Sequence, residues 1–289
     1  MHWEKCRLNM KLACCVVLYN PDESVYRNIC TYASGVDVVF AADNSDKPCE
    51  DILEKIRSIG PSVEIISMHG NQGIAAALNA GLNEASERGY RYLLTMDQDS
   101  YFEEDTLAAY KEEAEKLFDS DEKIIQVGIH NSGDKPDDPV VNMKEPEWLI
   151  TSGSIMEVPT SIAVGGFLEK LFIDEVDREF NYRAADAGYK FRRVLDLTMQ
   201  HNLGEPIRGK FLGRSYEAMG HSKIRKYYIF RNCTYVMKTY PRTRKPYRYF
   251  LFTQFVKTIL AEDDKWNKIK FMRRGIKDAR KGKFGKLVL

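Results

Sequence analysis

The chain has 289 residues, 44% of them hydrophobic and 29% charged, an ordinary globular balance with room for one elaborated domain or a domain with an appendage. A net charge of +1 supplies no global basic field for nucleic acid, and no stretch approaches the roughly 20 consecutive apolar residues of a bilayer span. The six cysteines show no CxxC pair and no regular spacing, which argues against structural zinc and for reduced thiols in a cytoplasmic protein; the N-terminal segment with Glu4 lacks a signal-peptide pattern.

The apolar run Lys11–Tyr19 predicts a strand buried on both faces and ended by Asn20-Pro21-Asp22. From Pro21, the helical spacing of Val25, Ile29 and Tyr32 predicts a helix to Ala33. Asp37–Ala42 is a second strand, closing at Asp43-Asn44-Ser45-Asp46. A short helix, Ile52–Ile59, and a third strand, Val63–Ser67, follow. Gly70-Asn71-Gln72-Gly73 opens an Ala-rich helix, Ile74–Arg88, stopped by Gly89. A fourth strand, Tyr90–Met96, then runs straight into Asp97-Gln98-Asp99-Ser100.

Beyond it the pattern predicts an acidic helix, Glu103–Phe118, a strand, Lys123–Ile129, and a long polar loop, His130–Pro146. Trp148–Val158 reads as strand, Ser-Gly turn and strand. Val176–Ala187 reads as a helix ended by Gly188, and Tyr189–Leu197 as a further strand. Two Tyr-rich basic helices, Ser222–Tyr240 and Tyr247–Ile259, flank a turn at Pro241–Pro246, and Arg273–Lys286 is strongly cationic. Alternating strand and helix predicts an α/β fold with a mainly parallel, Rossmann-like central sheet flanked by helices over residues 1–205. Residues 206–289 form a basic, helical C-terminal region.

Asp97 and Asp99 point the same way from an extended segment. Like charges so close call for a cation between them, and a hard ion such as Mg²⁺ or Mn²⁺ shared with phosphates fits; an acidic cap on the next helix is the alternative. Ligands of parallel α/β sheets gather at the carboxyl ends of the strands, and Asn20, Asp43, Asn71 and the Asp97/Asp99 pair all fall there. That clustering favours a nucleotide-and-metal site. His201 and His221, flanking the basic region, fit either diphosphate or metal contacts or ordinary surface positions. The absence of GxGxxG after the first strand argues against a dehydrogenase, and the acidic Asn20-Pro21-Asp22-Glu23 argues against a nucleotidyltransferase.

The order of motifs resembles the inverting, GT-A-type family-two glycosyltransferases, in particular the rhamnosyltransferase branch. The motifs are Val17-Leu18-Tyr19-Asn20-Pro21, Asp43-Asn44-Ser45, Asn71-Gln72-Gly73-Ile74, Asp97-Gln98-Asp99-Ser100, Thr151-Ser152-Gly153-Ser154, Gly165-Gly166-Phe167, Phe172 to Glu179, and Arg225-Lys226-Tyr227-Tyr228 with Arg231-Asn232. The resemblance implies that Asp43 contacts the base or ribose of a nucleotide-sugar. It implies that the turn from Asn71 to Ala75 packs on the nucleotide, with N–H groups at the helix start available to an anion. Asp99 would ligate Mg²⁺ or Mn²⁺ and Asp97 ribose or metal. Asp177 would be the general base, although Val176 precedes it where the family carries Glu, leaving Asp174, Glu175 and Glu179 as competitors. Arg225 or Arg231 would meet the diphosphate. The implied donor is dTDP-rhamnose and the acceptor a glycan or polyprenyl-diphosphate-linked glycan. The basic C-terminal region would lie on the acceptor side, and Arg273–Lys286 reads either as a solvated face or as a peripheral contact to the inner face of the cell membrane. A nucleotide-sugar-binding protein without turnover is the competing expectation.

Overall fold

The computed structural model describes residues 10–120, 122–134, 142–201, 207–211, 214–218 and 220–288. Two compact units make up the chain: Met1–Asn71, Ala77–Gly166 and Arg183–Asn202 form the first, and Gln72–Ala76, Phe167–Tyr182 and Leu203–Leu289 the second. The expected boundary at 205/206 and the expected loop residues 135–141 lie outside the described residues.

The first unit is built on a sheet whose middle is the apolar run foreseen from sequence. All seven residues of β1 (Leu12–Leu18) are buried, because β2 (Val38–Asp43) and β4 (Tyr92–Asp97) flank it in parallel and helices cover both faces. With β3 (Val63–Ser67), β5 (Ser100–Tyr101), β6 (Ile124–Asn131), β7 (Ser154–Glu157) and β8 (Lys190–His201), the strand order is β3-β2-β1-β4-β7-β6-β8-β5. Parallel pairing joins β3 to β2 and β6 to β8 as well, whereas β4–β7, β6–β7 and β5–β8 are antiparallel. The register sets Leu18 of β1 against Asp43 and Val17 against Asp97, so two carboxylates flank the end of the central strand.

The helices are α1 (Glu23–Ala33), α2 (Glu50–Arg57), α3 (Ile74–Glu87), α4 (Thr106–Phe118), α5 (Val158–Ala163) and α6 (Val176–Asp186). Asp22 caps α1 by accepting from Ser24 N–H at 2.8 Å. Cys14 and Cys15 are buried free thiols; burial pushes both up, Cys15 to about 12.

Backbone pairing of β9 (Ile207–Phe211) with β10 (Arg214–Ala218) is antiparallel, and three helices follow: α7 (Lys223–Thr239), α8 (Arg244–Ala261) and α9 (Lys265–Arg280). α9 crosses α7 at Gly275, where an added Cβ would lie 2.4 Å from the Tyr227 carbonyl oxygen. Ile229, Phe230, Cys233 and Val236 of α7 share a core with Tyr247, Ile269 and Met272. Inside this unit Glu262 accepts from Lys226 Nζ at 2.7 Å and from Lys268 Nζ at 2.9 Å, with Lys226 and Glu262 almost wholly enclosed. Glu262→Ala would strand two buried ammonium groups. We expect a loss of roughly 3 kcal/mol, read as a lower denaturant midpoint at unchanged slope.

Several elements depart from the sequence expectation, among them the β9–β10 hairpin in the region expected to be helical. Trp148–Ile150 is not a strand, because the Ile150 carbonyl is taken by Ser154 Oγ at 2.6 Å and Gln126 Nε2 at 3.3 Å instead of a ladder partner. Pro246 lies in the first turn of α8, where its missing N–H needs no partner, so the basic turn ends at Thr243. α9 was read only as a cationic tail. Among the described residues, no helix is long and apolar enough to cross a membrane.

Candidate functional site

The first unit gathers its polar side chains where β1, β2 and β4 end. Gln98, between the two carboxylates, accepts from Tyr19 N–H at 2.8 Å through Oε1 and donates to the Tyr19 carbonyl at 3.2 Å through Nε2. Its own carbonyl accepts from Asn28 Nδ2 at 2.8 Å. This reciprocal amide pairing fastens the Asp97–Asp99 turn to the end of β1. Gln98→Ala should therefore leave folding intact and cost up to about 2 kcal/mol in binding of ligands that need the turn in register, measured by calorimetry.

Asp97, Asp99 and His201 each present a ligand atom, and these atoms lie within 4.8 Å of one another. Among the described residues they are the one group able to hold a metal ion. His201 arrives from the far end of β8, whose pairing with β5 sets it opposite Ser100. Its Nδ1 is 2.7 Å from Ser100 Oγ, which is 2.8 Å from Ser152 Oγ, and Ser152 Oγ accepts from the Asp97 N–H at 3.1 Å. In the tautomer with Nδ1–H donating to Ser100, Nε2 keeps its lone pair and lies 4.0 Å from Asp99 Oδ1. That Oδ1 is buried without a hydrogen-bond partner, although the side chain as a whole is 47% exposed. An orphaned carboxylate oxygen facing an imidazole nitrogen, with a second carboxylate beside them, suits a divalent cation. The alternative reading of Asp99 as a helix cap is not what the structure shows: Asp105 occupies the cap position of α4, with no side-chain cap bond.

The other strand-end residues form one hydrogen-bonded rim. Asn20, with φ of 48°, gives its N–H to Ser45 Oγ at 2.8 Å. Asp43 is 2% exposed and accepts from Ser45 N–H at 3.2 Å, while Asn44 Nδ2 reaches Asn71 Oδ1 at 3.3 Å. Asn20, Asp43 and Asn71, placed together by sequence alone, are thus held together through Asn44 and Ser45.

The second unit carries the acidic segment. Phe172, Asp174 and Glu175 have φ of 68°, 62° and 63°, a backbone region costly for these residues and found where function demands it. Asn232 Nδ2 holds this bend by donating to the carbonyls of Leu171, Ile173 and Asp174 at 2.9, 2.7 and 3.0 Å. Glu179 is buried and accepts from Tyr240 OH at 2.9 Å; Glu175 accepts from Tyr247 OH and pairs with Arg178 at 3.4 Å. Asp174 is engaged by Arg225 at 3.2 Å. Asp177, at the start of α6, accepts from the Arg178 N–H at 2.8 Å and is only partly buried. Burial pushes the Asp174, Glu175 and Asp177 carboxyls above their ordinary values, against the pull of Arg225 on the first and Arg178 on the other two.

Two expectations from the motif order need correction. Arg231 is fully buried: its guanidinium donates to the carbonyls of Gly285 and Leu171 at 2.7 Å, among the rings of Tyr227, Tyr228 and Phe284. It braces the 171–174 bend and presents nothing to a diphosphate. The N–H of Ile74, expected to face an anion, donates to the Phe172 carbonyl at 2.8 Å. Gly73 permits that approach, with φ of 93° and an added Cβ only 2.5 Å from the Phe172 oxygen. Gly73→Ala should cost about 2 to 3 kcal/mol, visible as a fall in melting temperature. Arg225 is half-exposed beyond its bond to Asp174. His221 is pushed down to about 4 by burial and by Arg225 and Lys226, so it is neutral at pH 7 and belongs to no metal-holding group among the described residues.

A nucleotide-fold sheet with carboxylates and an imidazole at its strand ends defines a GT-A-like protein, and the solved structures agree on the fold. The mannosyltransferase PcManGT of Pyrobaculum calidifontis, in complex with GDP-Man and Mn²⁺, superposes with a TM-score of 0.57 at 14% identity over 96% of this chain and 76% of that one. S. aureus TarS 1–349 in complex with UDP-GlcNAc superposes at 0.54, with 15% identity over 94% and 73%. Residues 14–155 match the model of Glycosyl transferase family 2. A curated relative, the dTDP-rhamnosyl transferase RfbF of Shigella flexneri, is 24% identical across 93% of this chain and 94% of its own.

Proposed function

We propose that this protein transfers a rhamnosyl group from dTDP-rhamnose, with inversion, to a hydroxyl of a glycan or polyprenyl-diphosphate-linked acceptor in bacterial cell-surface polysaccharide synthesis. The observation that carries the reading is the Asp97, Asp99 and His201 cluster with its orphaned Asp99 oxygen, at the end of the strand beside β1. The relation to RfbF supports the donor, and the Mn²⁺ in the PcManGT complex supports a divalent ion.

Asp99, Asp97 and His201 would hold Mg²⁺ or Mn²⁺, which when bound offsets the charge that grows on the departing diphosphate. Asp43, Asn20 and Asn71 form the rim on which nucleoside and ribose would rest. Arg225 is the arginine we retain for phosphate, since Arg231 is committed to the bend. Asp177 takes the proton of the acceptor hydroxyl: its competitors Glu175 and Glu179 are held by tyrosine hydroxyls and Asp174 by Arg225. Raised by burial, its carboxylate is a stronger base than an exposed one. One base without a protein nucleophile gives a single displacement and hence inversion.

The test is dTDP release from dTDP-rhamnose with Mn²⁺, run beside UDP-GlcNAc and GDP-mannose. Release confined to the dTDP sugar supports the proposal; preference for another nucleotide-sugar would replace the donor, and binding without any release would favour a protein that only binds.

A further inference from the structure

The outward side of α8 and α9 carries two adjoining stripes that the transferase reading does not use. On α8, Tyr249 is 72% and Phe252 63% exposed, and Ile259 and Leu260 are more than a third exposed. These positions fall on one side of a helix, at i, i+3, i+10 and i+11. On α9, Trp266 is 84% exposed, and Lys270, Arg273, Lys277 and Arg280 follow it at i+4, i+7, i+11 and i+14, all exposed. Met272, Gly275 and Ala279 point to the opposite, buried side, with buried Ile269 at the border between the two. Between the helices Phe255, Ile259, Trp266 and Ile269 line a groove of about 280 Å³, edged by Lys270 and Arg273.

We propose that this α8–α9 face docks on a lipid bilayer rich in anionic phospholipid. Singly exposed apolar residues mean little, but an aromatic stripe joined to a row of cations matches the layered chemistry of a membrane surface. Trp and Tyr rings seat at headgroup depth, the aliphatic residues beneath them, and basic side chains against lipid phosphates. The charge pattern selects the occupant. α8 holds Arg244, Lys245, Arg248 and Lys257 and no acidic residue. The one acid of α9, Asp278, is mostly covered and occupied by Tyr227 OH and Arg274. A second copy of the chain meeting this face by two-fold symmetry would set the α9 cations against themselves, which is unfavourable. A phosphate-bearing surface complements them. The inference is independent of the sugar or acceptor used.

Full-length protein is mixed with vesicles of phosphatidylcholine alone or with about 30% phosphatidylglycerol, and the bound fraction is read by sedimentation. Binding is expected on the anionic vesicles only, and should weaken sharply at about 0.5 M NaCl, where exposed charges are screened. The pair Arg273→Ala with Lys277→Ala should weaken it roughly 25-fold, at about fivefold per cation. Trp266→Ala with Phe252→Ala should weaken it at least about tenfold. All four side chains are exposed, so melting temperatures should stay at the wild-type value. Equal binding to neutral vesicles, undiminished binding in both variants, or no vesicle binding at all would overturn the proposal. A dimer in sedimentation equilibrium that Trp266→Ala dissociates, without vesicle binding, would hand the face to a second copy instead.

Discussion

Asp99→Ala is expected to lower donor turnover by at least roughly a thousandfold, equivalent to about 4 kcal/mol of transition-state stabilisation. Asp99 contributes the orphaned oxygen of the cluster, and its loss leaves Asp97 and His201 with too few ligands to fix a cation. The protein itself should fold normally, because the Asp99 side chain is half-exposed and its oxygen makes no hydrogen bond to lose. Turnover with dTDP-rhamnose and Mn²⁺, measured beside an unchanged melting curve, checks both halves. His201→Ala should show a weaker form of the same defect, since Ser100 and Ser152 hold its ring for this one contact.

The second large effect is Asp177→Asn. Removing the proposed base should reduce kcat by roughly a thousandfold while leaving the KM for the donor close to wild type. The pH profile gives an independent signature. Burial raises the Asp177 carboxyl, so the base loses its charge at a higher pH than an exposed aspartate would. The rate of the wild type should therefore fall on the acid side while pH is still above the ordinary carboxylate range, and rise as pH increases through that limb. In Asp177→Asn the limb should vanish and the residual rate be flat there. Because Asp174 and Glu175 are raised in the same segment, the limb belongs to coupled carboxylates, and Asp177 is the member whose removal abolishes it. A profile that keeps its acid limb in Asp177→Asn would move the role to Asp174 or Glu175.

The half of the sheet containing β1 to β4 was readable because strands covered on both faces leave near-continuous apolar runs, and because Gly89 stops α3 in the left-handed region. The ends of those strands carry Asn20, Asp43 and Asp97, so the rim was readable as well. Asn44 and Ser45, which tie it together, stood in the same motif without a visible role. The antiparallel joins of β7 to β4 and β6 were not readable, since pairing partners roughly 60 and 30 residues apart leave no local pattern. α9 was missed because its buried side mixes Lys268, Gly275 and Ala279 with its apolar residues, which blurs the helical period.

The site divided along the same line. His201 stands a hundred positions from Asp99 in the chain, and only the β5–β8 register brings it to the carboxylates. Arg231 was assigned to phosphate from its charge, yet the same planar fork that suits phosphate oxygens also suits clustered backbone carbonyls, and burial decides between them. The choice among Asp174, Glu175, Asp177 and Glu179 turned on Tyr240 and Tyr247, whose hydroxyls hold two of the four. Neither tyrosine carries a motif of its own.

At the centre stands the claim that Asp97 and Asp99 bind a cation shared with a nucleoside diphosphate. The most direct measurement is the affinity of dTDP by titration calorimetry, in EDTA and in Mn²⁺, for the wild type and Asp99→Ala. Mn²⁺ should tighten dTDP binding at least about tenfold in the wild type, about 1.4 kcal/mol of coupling, and leave Asp99→Ala unchanged. Equal affinity with and without Mn²⁺ in the wild type would contradict that claim.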